Sequence, residues 1–428
     1  VNLFVLSYNE IKGFCKEVGS LKLSVLIKKS IGIIACPGGR VFADKIMEDL
    51  KKIFVDTERQ IIEKISQTSN SLKEDILKLE GSLLPLLEVL GFSNLKFDET
   101  MDIPVNFVKF ANGEFKAEIL RTIRDKDIFI VQDVSNTYPV NVNNNEKVLM
   151  TINDHLMNLM TTIDACMQAK ANSVSVIVPS YPYSRQDKKH SREGLTASLF
   201  GRFLEELRVK HILTLDIHSK AIENVFRKTY FENLNASYEI FDALAELIDI
   251  RDSNLVVVSP DTGAVNRNKF FASNLKRPLA LLYKERDYSK VTHNVNDSNI
   301  SVTKLLGDVE GKNVFMSDDI LATGGTFIKA VKLLKSMGAK KIICAVSLPF
   351  FNGDAIKYFD KAYEEGYFYK IIGTNAVYHD DKLISKPWYY EANVAHLFAG
   401  AIFAIYNRIS LQKILDRSHD IQNLISKS

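Results

Sequence analysis

Short, almost uninterrupted runs of Val, Ile and Leu recur along this chain, with stretches of helical apolar spacing between many of them. From about Ser30 onward the clearest runs are Ile31–Ala35, Asp127–Gln132, Ser173–Pro179, His211–Asp216, Asn254–Pro260, Leu279–Tyr283, Asn313–Ser317 and Lys341–Ser347. Several do not alternate apolar with polar residues, so they read as strands covered on both faces, which is the condition of a parallel sheet. Helical patterns such as Thr196–Leu207 and Phe327–Met337 lie between them, the second stopped by Gly338. Repeated strand–helix alternation of this kind means α/β architecture with parallel sheets. The strands are too many for one compact sheet, and 428 residues at roughly 150 per domain point to more than one domain.

Two stretches interrupt the alternation. Thr57–Gly91 carries capping-box patterns at Thr57/Gln60 and Ser71/Glu74, each ahead of a helical apolar pattern, and reads as a helical hairpin inserted at about residues 55–98. Asn136–Lys147 is rich in Asn, contains Pro139, and reads as a surface loop. No short repeat of solenoid length is present.

Composition excludes several classes. With 46% apolar and 25% charged residues, the chain is not disordered, collagen-like or a coiled coil. A net charge of +3 is too small for a nucleic-acid or membrane surface, so any anion site has to be local. Cys15, Cys36, Cys166 and Cys344 lie far apart with no CxxC pair, which fits neither a disulfide framework nor a zinc site and favours a reducing compartment. The longest apolar stretch, Leu397–Tyr406, has about half the roughly twenty residues a spanning helix needs. Asn2, Ser7, Asn9 and Glu10 break the apolar character of the first residues, unlike a signal peptide. A cytoplasmic location is the expectation.

The strongest chemical signal is Val314-Phe-Met-Ser-Asp318-Asp319-Ile-Leu-Ala-Thr323-Gly324-Gly325-Thr326. A buried strand delivers two adjacent carboxylates to a Thr-Gly-Gly-Thr turn, and an amphipathic helix follows. Glycines let the backbone approach an anion closely, and the helix N-terminus favours a phosphate. Ionised carboxylates accept hydrogen bonds only, which suits the vicinal hydroxyls of a ribose. One segment thus offers partners for both ends of a sugar phosphate. Taken alone, a Gly-Gly turn can simply satisfy backbone geometry; the acidic pair and flanking threonines make it chemical. The arrangement resembles the ribose-5-phosphate loop of the phosphoribosyltransferase superfamily.

Three more stretches sit at strand ends, where α/β proteins place ligands. They are Tyr183-Ser-Arg185-Gln186-Asp187-Lys188-Lys189, Asp216-Ile-His218 and Ser259-Pro-Asp261-Thr-Gly263-Ala264. Each by itself is equally a solvated turn or a structural histidine. In this order, together with Phe110-Ala-Asn112-Gly-Glu114, Asn153-Asp-His-Leu-Met157 and Pro349-Phe-Phe-Asn-Gly353, they resemble ribose-phosphate pyrophosphokinase, also called PRPP synthetase. The resemblance runs from about Ser30 to Ser410.

That resemblance implies magnesium-dependent transfer of the diphosphoryl group of ATP to the C1 hydroxyl of ribose 5-phosphate, giving PRPP and AMP. It implies two phosphoribosyltransferase-like domains, residues 1–233 and 234–391, with residues 392–428 packing back on the first. It also implies a homo-oligomer, a dimer or a hexamer of dimers, whose ATP site is shared between subunits. Asp318, Asp319, Thr323, Gly324, Gly325 and Thr326 match the ribose-5-phosphate site. Arg185, Gln186 and Asp187 match ATP contacts on the same subunit. Phe110, Asn112 and Glu114 match contacts to adenosine across an interface. His218 and Asp261 match ligands of Mg²⁺. Lys284 and Arg286, in Tyr283-Lys-Glu285-Arg-Asp287, match the cations that a flexible loop brings over the triphosphate.

Departures from the pattern are Ala322 in place of an aspartate, Glu285 in place of a basic residue, Ala264 in place of a glycine, and a short segment at His190–Gly194. The last puts family-style regulation by ADP or phosphate in doubt. Ala322 and its loop look more like adenine phosphoribosyltransferase, so an enzyme acting on a nucleobase with PRPP is the rival reading. A non-catalytic PRPP-synthetase-associated subunit is another, against which Lys284, Arg286, His218 and Asp261 are all retained.

Overall fold

The computed structural model describes residues 30–68, 101–143, 146–189, 191–286 and 301–427. The first half contains strands β1 (Ile31–Ala35), β2 (Val105–Lys109), β3 (Phe115–Ile119), β4 (Asp127–Val131), β5 (Val140–Val142), β6 (Glu146–Val148), β7 (Ser173–Ile177), β8 (His211–Leu215) and β9 (Tyr230–Leu234). The second contains β10 (Leu255–Ser259), β11 (Leu279–Arg286), β12 (Ser301–Leu306), β13 (Asn313–Leu321), β14 (Ile342–Pro349), β15 (Lys370–Thr374) and β16 (Tyr389–Ala392).

Two separate main sheets result. The first has five strands in the order β1-β4-β7-β8-β9, all parallel. The second has seven in the order β12-β11-β10-β13-β14-β15-β16, with only β12 antiparallel. This is the expected α/β class with parallel sheets, and β10 and β14 are buried along their whole length, in keeping with their largely apolar sequences. Each sheet points the carboxyl ends of its central strands toward one inter-sheet cleft.

The helix Ala395–Tyr406 is apolar nearly all round and lies between elements of both halves. Its Phe398 ring meets Phe42 edge-on at 5.3 Å, and Phe403 meets Phe54 at 5.0 Å, both on the long helix Arg40–Thr68. Such edge contacts add about 0.5–1.5 kcal/mol each beyond the area they bury. The same apolar cluster includes Phe241, Phe271 and Phe315, so it runs from the first sheet under the second. Among the described residues, no helix is long and apolar enough to cross a membrane. Cys36, Cys166 and Cys344 are free and buried.

Two local expectations are corrected. The helix Arg40–Thr68 passes straight through Thr57, whose hydroxyl donates to the Ile53 carbonyl at 2.7 Å instead of capping a new helix. A threonine hydroxyl can satisfy itself on the preceding turn, so the capping-box spacing did not mark a start here. The rest of the expected insertion, residues 69–98, lies outside the described residues. The Asn136–Lys147 segment is not a plain loop: it forms the β5–β6 hairpin, with Val140 and Val142 buried.

Candidate active site

The acidic strand and the turn after it are built as one piece. β13 continues through Asp318 and Asp319 to Leu321, four residues beyond the expected end at Ser317. Its pairing with β14 persists to Leu321 opposite Pro349. The chain then turns at Gly324, which has φ of +76° and initiates the helix Gly325–Ser336. A side chain at Gly324 is excluded twice. That φ disfavours L-residues, and a Cβ would press into the Phe359 ring, with Cζ only 3.0 Å away. Among the described residues no side chain caps this helix, so its first N–H groups are left for an anion.

Asn268, which the sequence reading missed, splints the strand. Its Oδ1 accepts from the Ser317 N–H at 2.9 Å, while Nδ2 donates to the carbonyls of Ser317 at 2.7 Å and Ala264 at 2.9 Å. The amide thereby ties the start of the acidic pair to the turn that carries Asp261. Asp261 Oδ1 in turn accepts from the Ala264 N–H at 3.0 Å.

Across the cleft, His218 follows β8 and reaches the acidic pair. His218 Nδ1 lies 2.6 Å from Asp319 Oδ2, an ion pair joining the two sheets. The Asp319 hydrogen bond raises the His218 pKa. Burial works to raise Asp319, but the hydrogen bond and charge of His218, with Arg267 behind, outweigh it and hold the carboxyl below its usual range. Asp318 is the opposite case: burial, then the adjacent Asp319 charge, pushes it up to about 7. The environment therefore pushes the two neighbours apart, Asp319 down and Asp318 up.

A second link lies behind the first. Arg267 Nη1 donates to Asp216 Oδ2 at 3.3 Å and to Ser347 Oγ at 3.0 Å, and Ser347 Oγ donates to the same Asp216 oxygen at 2.5 Å. Asp216 is buried, with φ of +43°, and its carboxylate also accepts from the Ala236 N–H at 3.3 Å. Tyr183 (φ +55°) and Phe351 (φ +46°) share this left-handed backbone at the ends of neighbouring segments. A signal for Arg267 was available: it stands in the first turn of the helix Val265–Leu275, where the helix dipole disfavours a cation unless carboxylates face it.

Two cavities open on this machinery. The larger, about 550 Å³, is walled by His218, Asp261, Arg267, Asp318, Asp319 and the Thr323–Thr326 turn. The smaller, about 400 Å³, lies between the Tyr181–Gln186 turn and Phe350. Arg185, Ile320 and Ala322 belong to both walls, so the two form a bipartite cleft with Arg185 at the junction.

Most expected site residues thus converge. Asp187 is in neither wall, although its charge is felt at His218. Phe110, Asn112 and Glu114 are exposed on the turn between β2 and β3, away from both cavities. The turn is ordered by Asn112 Oδ1 accepting from the Glu114 N–H at 3.2 Å and by Gly113 at φ +92°. Lys284 and Arg286 are not in a loop beyond a strand: β11 runs on through them, opposite Thr303 and Ser301 of β12. Strand pairing with a partner invisible in the local pattern extended β11 past its apolar run. His218 and Asp319, assigned separately to metal and sugar, are direct partners.

A parallel-sheet domain, doubled in one chain around a cleft edged by two carboxylates and a Gly-Gly turn, defines a protein of the phosphoribosyltransferase type. Residues 228–381 match the phosphoribosyl transferase domain, and residues 87–207 match the N-terminal domain of ribose phosphate pyrophosphokinase. Ribose-phosphate pyrophosphokinase 2 of Schizosaccharomyces pombe is 35% identical over 279 residues, covering 65% of this chain and 78% of its own length. The ribose-phosphate pyrophosphokinase of Staphylococcus saprophyticus is 33% identical over 310 residues, covering 72% of this chain and 88% of its own. This chain belongs to the ribose-phosphate pyrophosphokinase family of enzymes. The crystal structure of phosphoribosylpyrophosphate synthetase from Mycobacterium smegmatis shares the fold, with a TM-score of 0.66 over 89% of this chain and 100% of its own, at 24% identity.

Proposed function

We propose that this enzyme makes PRPP and AMP from ribose 5-phosphate and ATP for nucleotide biosynthesis. The observation that carries the reading is the bipartite cleft, in which a phosphate-binding turn and an acidic pair share a wall, through Arg185, with a second cavity.

The 5-phosphate sits on the N–H groups and hydroxyls of Thr323–Thr326, a site that attracts anions by the helix field and by unpaired donors. The Asp319 carboxylate, kept ionised by His218, accepts from a ribose hydroxyl, with Asp318 beside it. ATP occupies the side of the cleft lined by Arg185 and Gln186, with Asp187 nearby. The C1 hydroxyl oxygen bonds to the β-phosphorus, the bond from that phosphorus to the α-phosphate oxygen breaks, and AMP departs carrying the electron pair. The hydroxyl proton passes to solvent water, and no side chain is assigned as a strong base. Lys284 and Arg286 neutralise the charge that develops on the transferred group and on AMP. Phe110, Asn112 and Glu114 meet the adenosine from a neighbouring copy, with Phe110 giving an aromatic face to the base. The active form is then a cytoplasmic homo-oligomer, a dimer or a hexamer of dimers.

The cleft also fits a divalent cation. His218 keeps Nε2 free once Nδ1 is engaged, and Asp261 keeps one carboxylate oxygen free of the Ala264 bond. Burial, then the neighbouring Asp319 charge, raises Asp318 beside these two ligands. Among the described residues, no group of three or more His, Cys, Asp or Glu side chains could hold a metal by itself. Mg²⁺ keeps several waters and relies on substrate phosphates, so two protein ligands suffice for it. His218 and Asp261 would hold it, and it would make the diphosphoryl group more electrophilic.

The test is incubation of purified protein with ATP, Mg²⁺ and ribose 5-phosphate. AMP and PRPP in equal amounts support the proposal. Consumption of PRPP that depends on an added nucleobase, without AMP release from ATP, assigns a transferase instead. Silence in both assays assigns a regulatory subunit.

A further inference from the structure

We infer that the Asn136–Asn143 segment is a strap that positions the Phe110–Glu114 turn for nucleotide binding, with Asn143 as its grip. This rests on the reading above, in which that turn contacts adenosine.

The β2–β3 hairpin that carries the turn is a two-stranded ribbon outside the main sheets. Val105, Phe107 and Ile119 pack the ribbon on the first core, and the tip beyond Lys109 takes a further brace from outside the ribbon. Asn143 supplies it. Its Oδ1 accepts from the Lys109 N–H at 2.8 Å, and its Nδ2 donates to the Lys109 carbonyl at 3.0 Å. Its backbone N–H donates to the Phe107 carbonyl at 2.9 Å. Lys109 is the last residue of β2 and the one before Phe110. The asparagine amide therefore acts as a short third strand, engaging the edge of β2 where the turn begins. Asn143 has φ of +47°, a conformation that Asn tolerates better than most residues, and its amide offers the donor and acceptor this edge requires.

Apolar contacts reinforce the grip. Buried Val140, Val142 and Met150 pack with Phe107 and Phe115 of the ribbon. The other end of the strap is anchored to both halves of the molecule. Buried Asn136 donates to the Gly38 carbonyl at 3.1 Å, and its own carbonyl meets His155 Nε2 at 3.0 Å. Tyr138 Oη lies 3.2 Å from His379 Nδ1 and its ring meets Tyr378 edge-on at 5.2 Å, both in the second half. Ser135, Asn136 and Thr137 also wall the smaller cavity. One segment thus connects the nucleotide cavity, the second half and the turn.

The test compares full-length wild type with Asn143→Gly, which keeps the backbone conformation and removes the amide, and Asn143→Asp, which keeps an acceptor. ATP affinity is measured by calorimetry, KM for each substrate and kcat by AMP release, and backbone exchange at residues 105–119 by hydrogen–deuterium exchange. Loss of both amide hydrogen bonds frees the turn, so Asn143→Gly should weaken ATP about tenfold. KM for ribose 5-phosphate and kcat should stay within about twofold, and exchange at 105–119 should accelerate. Asn143→Asp should fall between and still fold if the glycine variant does not. Wild-type ATP affinity and exchange in both variants, or equal losses for both substrates, overturn the strap. Wild type that binds no ATP overturns the nucleotide reading and the strap with it.

Discussion

Substituting Gly324 by alanine is the sharpest probe of the proposed phosphate turn, because its cost follows from two structural features. At φ of +76° an alanine pays about 1–2 kcal/mol for left-handed backbone. The added methyl must also displace the Phe359 ring, whose Cζ and Cδ2 stand 3.0 and 3.3 Å from the new carbon. That ring is fully buried and stacks on Trp388 at 5.7 Å, with Phe351 at 5.4 Å and Phe368 at 5.7 Å around it, so it has nowhere to swing. Overpacking of a filled core costs about 1–3 kcal/mol. The sum, roughly 2–5 kcal/mol, is relieved either by moving the turn or by loosening the aromatic core. Moving the turn misaligns the helix N-terminus, and about 2 kcal/mol there weakens ribose 5-phosphate about thirtyfold. Loosening the core lowers Tm instead. Titration calorimetry with ribose 5-phosphate and differential scanning calorimetry read the two outlets. The double variant with Phe359→Leu should recover the overlap part and leave the backbone part, which a double-mutant cycle isolates. Gly324→Ala protein with unchanged ribose 5-phosphate affinity and unchanged Tm would refute the reasoning.

Asp319→Asn removes the anion from the sugar site, and loss of charge-assisted bonds should weaken ribose 5-phosphate by about ten- to a hundredfold in calorimetry; equal affinity removes Asp319 from that site. The same carboxylate sets a pH dependence that is measurable in chelator-treated protein. His218 is raised by the Asp319 bond, so its contribution to stability is full below about pH 6.5 and is lost as pH rises through its raised value. Burial raises Asp319, yet His218 and Arg267 more than offset it, so its contribution is present above about pH 4 and is lost as pH falls through the lowered value. Asp318, at about 7, develops its cost as pH climbs from about 4 to neutrality, in the same direction as His218. Tm should therefore fall between pH 6 and 8 by more in wild type than in His218→Gln, and parallel curves would remove the pair from the balance. Lys284→Ala should reduce kcat by roughly a hundredfold or more while ribose 5-phosphate affinity holds, and a mild effect would take it out of the transition state.

The α/β class and the principal strands were legible because a strand covered on both faces must be apolar along its length, and that pattern is local. The acidic pair and the Gly-Gly turn were legible for a similar reason, since strand, turn and helix follow one another within Val314–Thr326. Less local features escaped. β12, β15 and β16 are short or polar enough that only their partners make them strands. Asn268 and Arg267 act on residues that the sequence separates by 49 and 51 positions. Asn143, in a stretch that reads as a polar loop, grips a strand 34 residues earlier.

What the sequence determined by itself is the chemistry available: carboxylates, a Thr-Gly-Gly-Thr turn, a histidine and an arginine at strand ends. What the tertiary structure decided is which of these meet. Packing the two sheets brought His218 to Asp319 across 101 residues, and that contact, against burial, holds the Asp319 carboxyl below its usual range, while burial and then the Asp319 charge raise Asp318. Hydrogen bonds and charge act over a few ångströms of space whatever the distance along the chain, so ionisation within the cleft is a property of the folded arrangement.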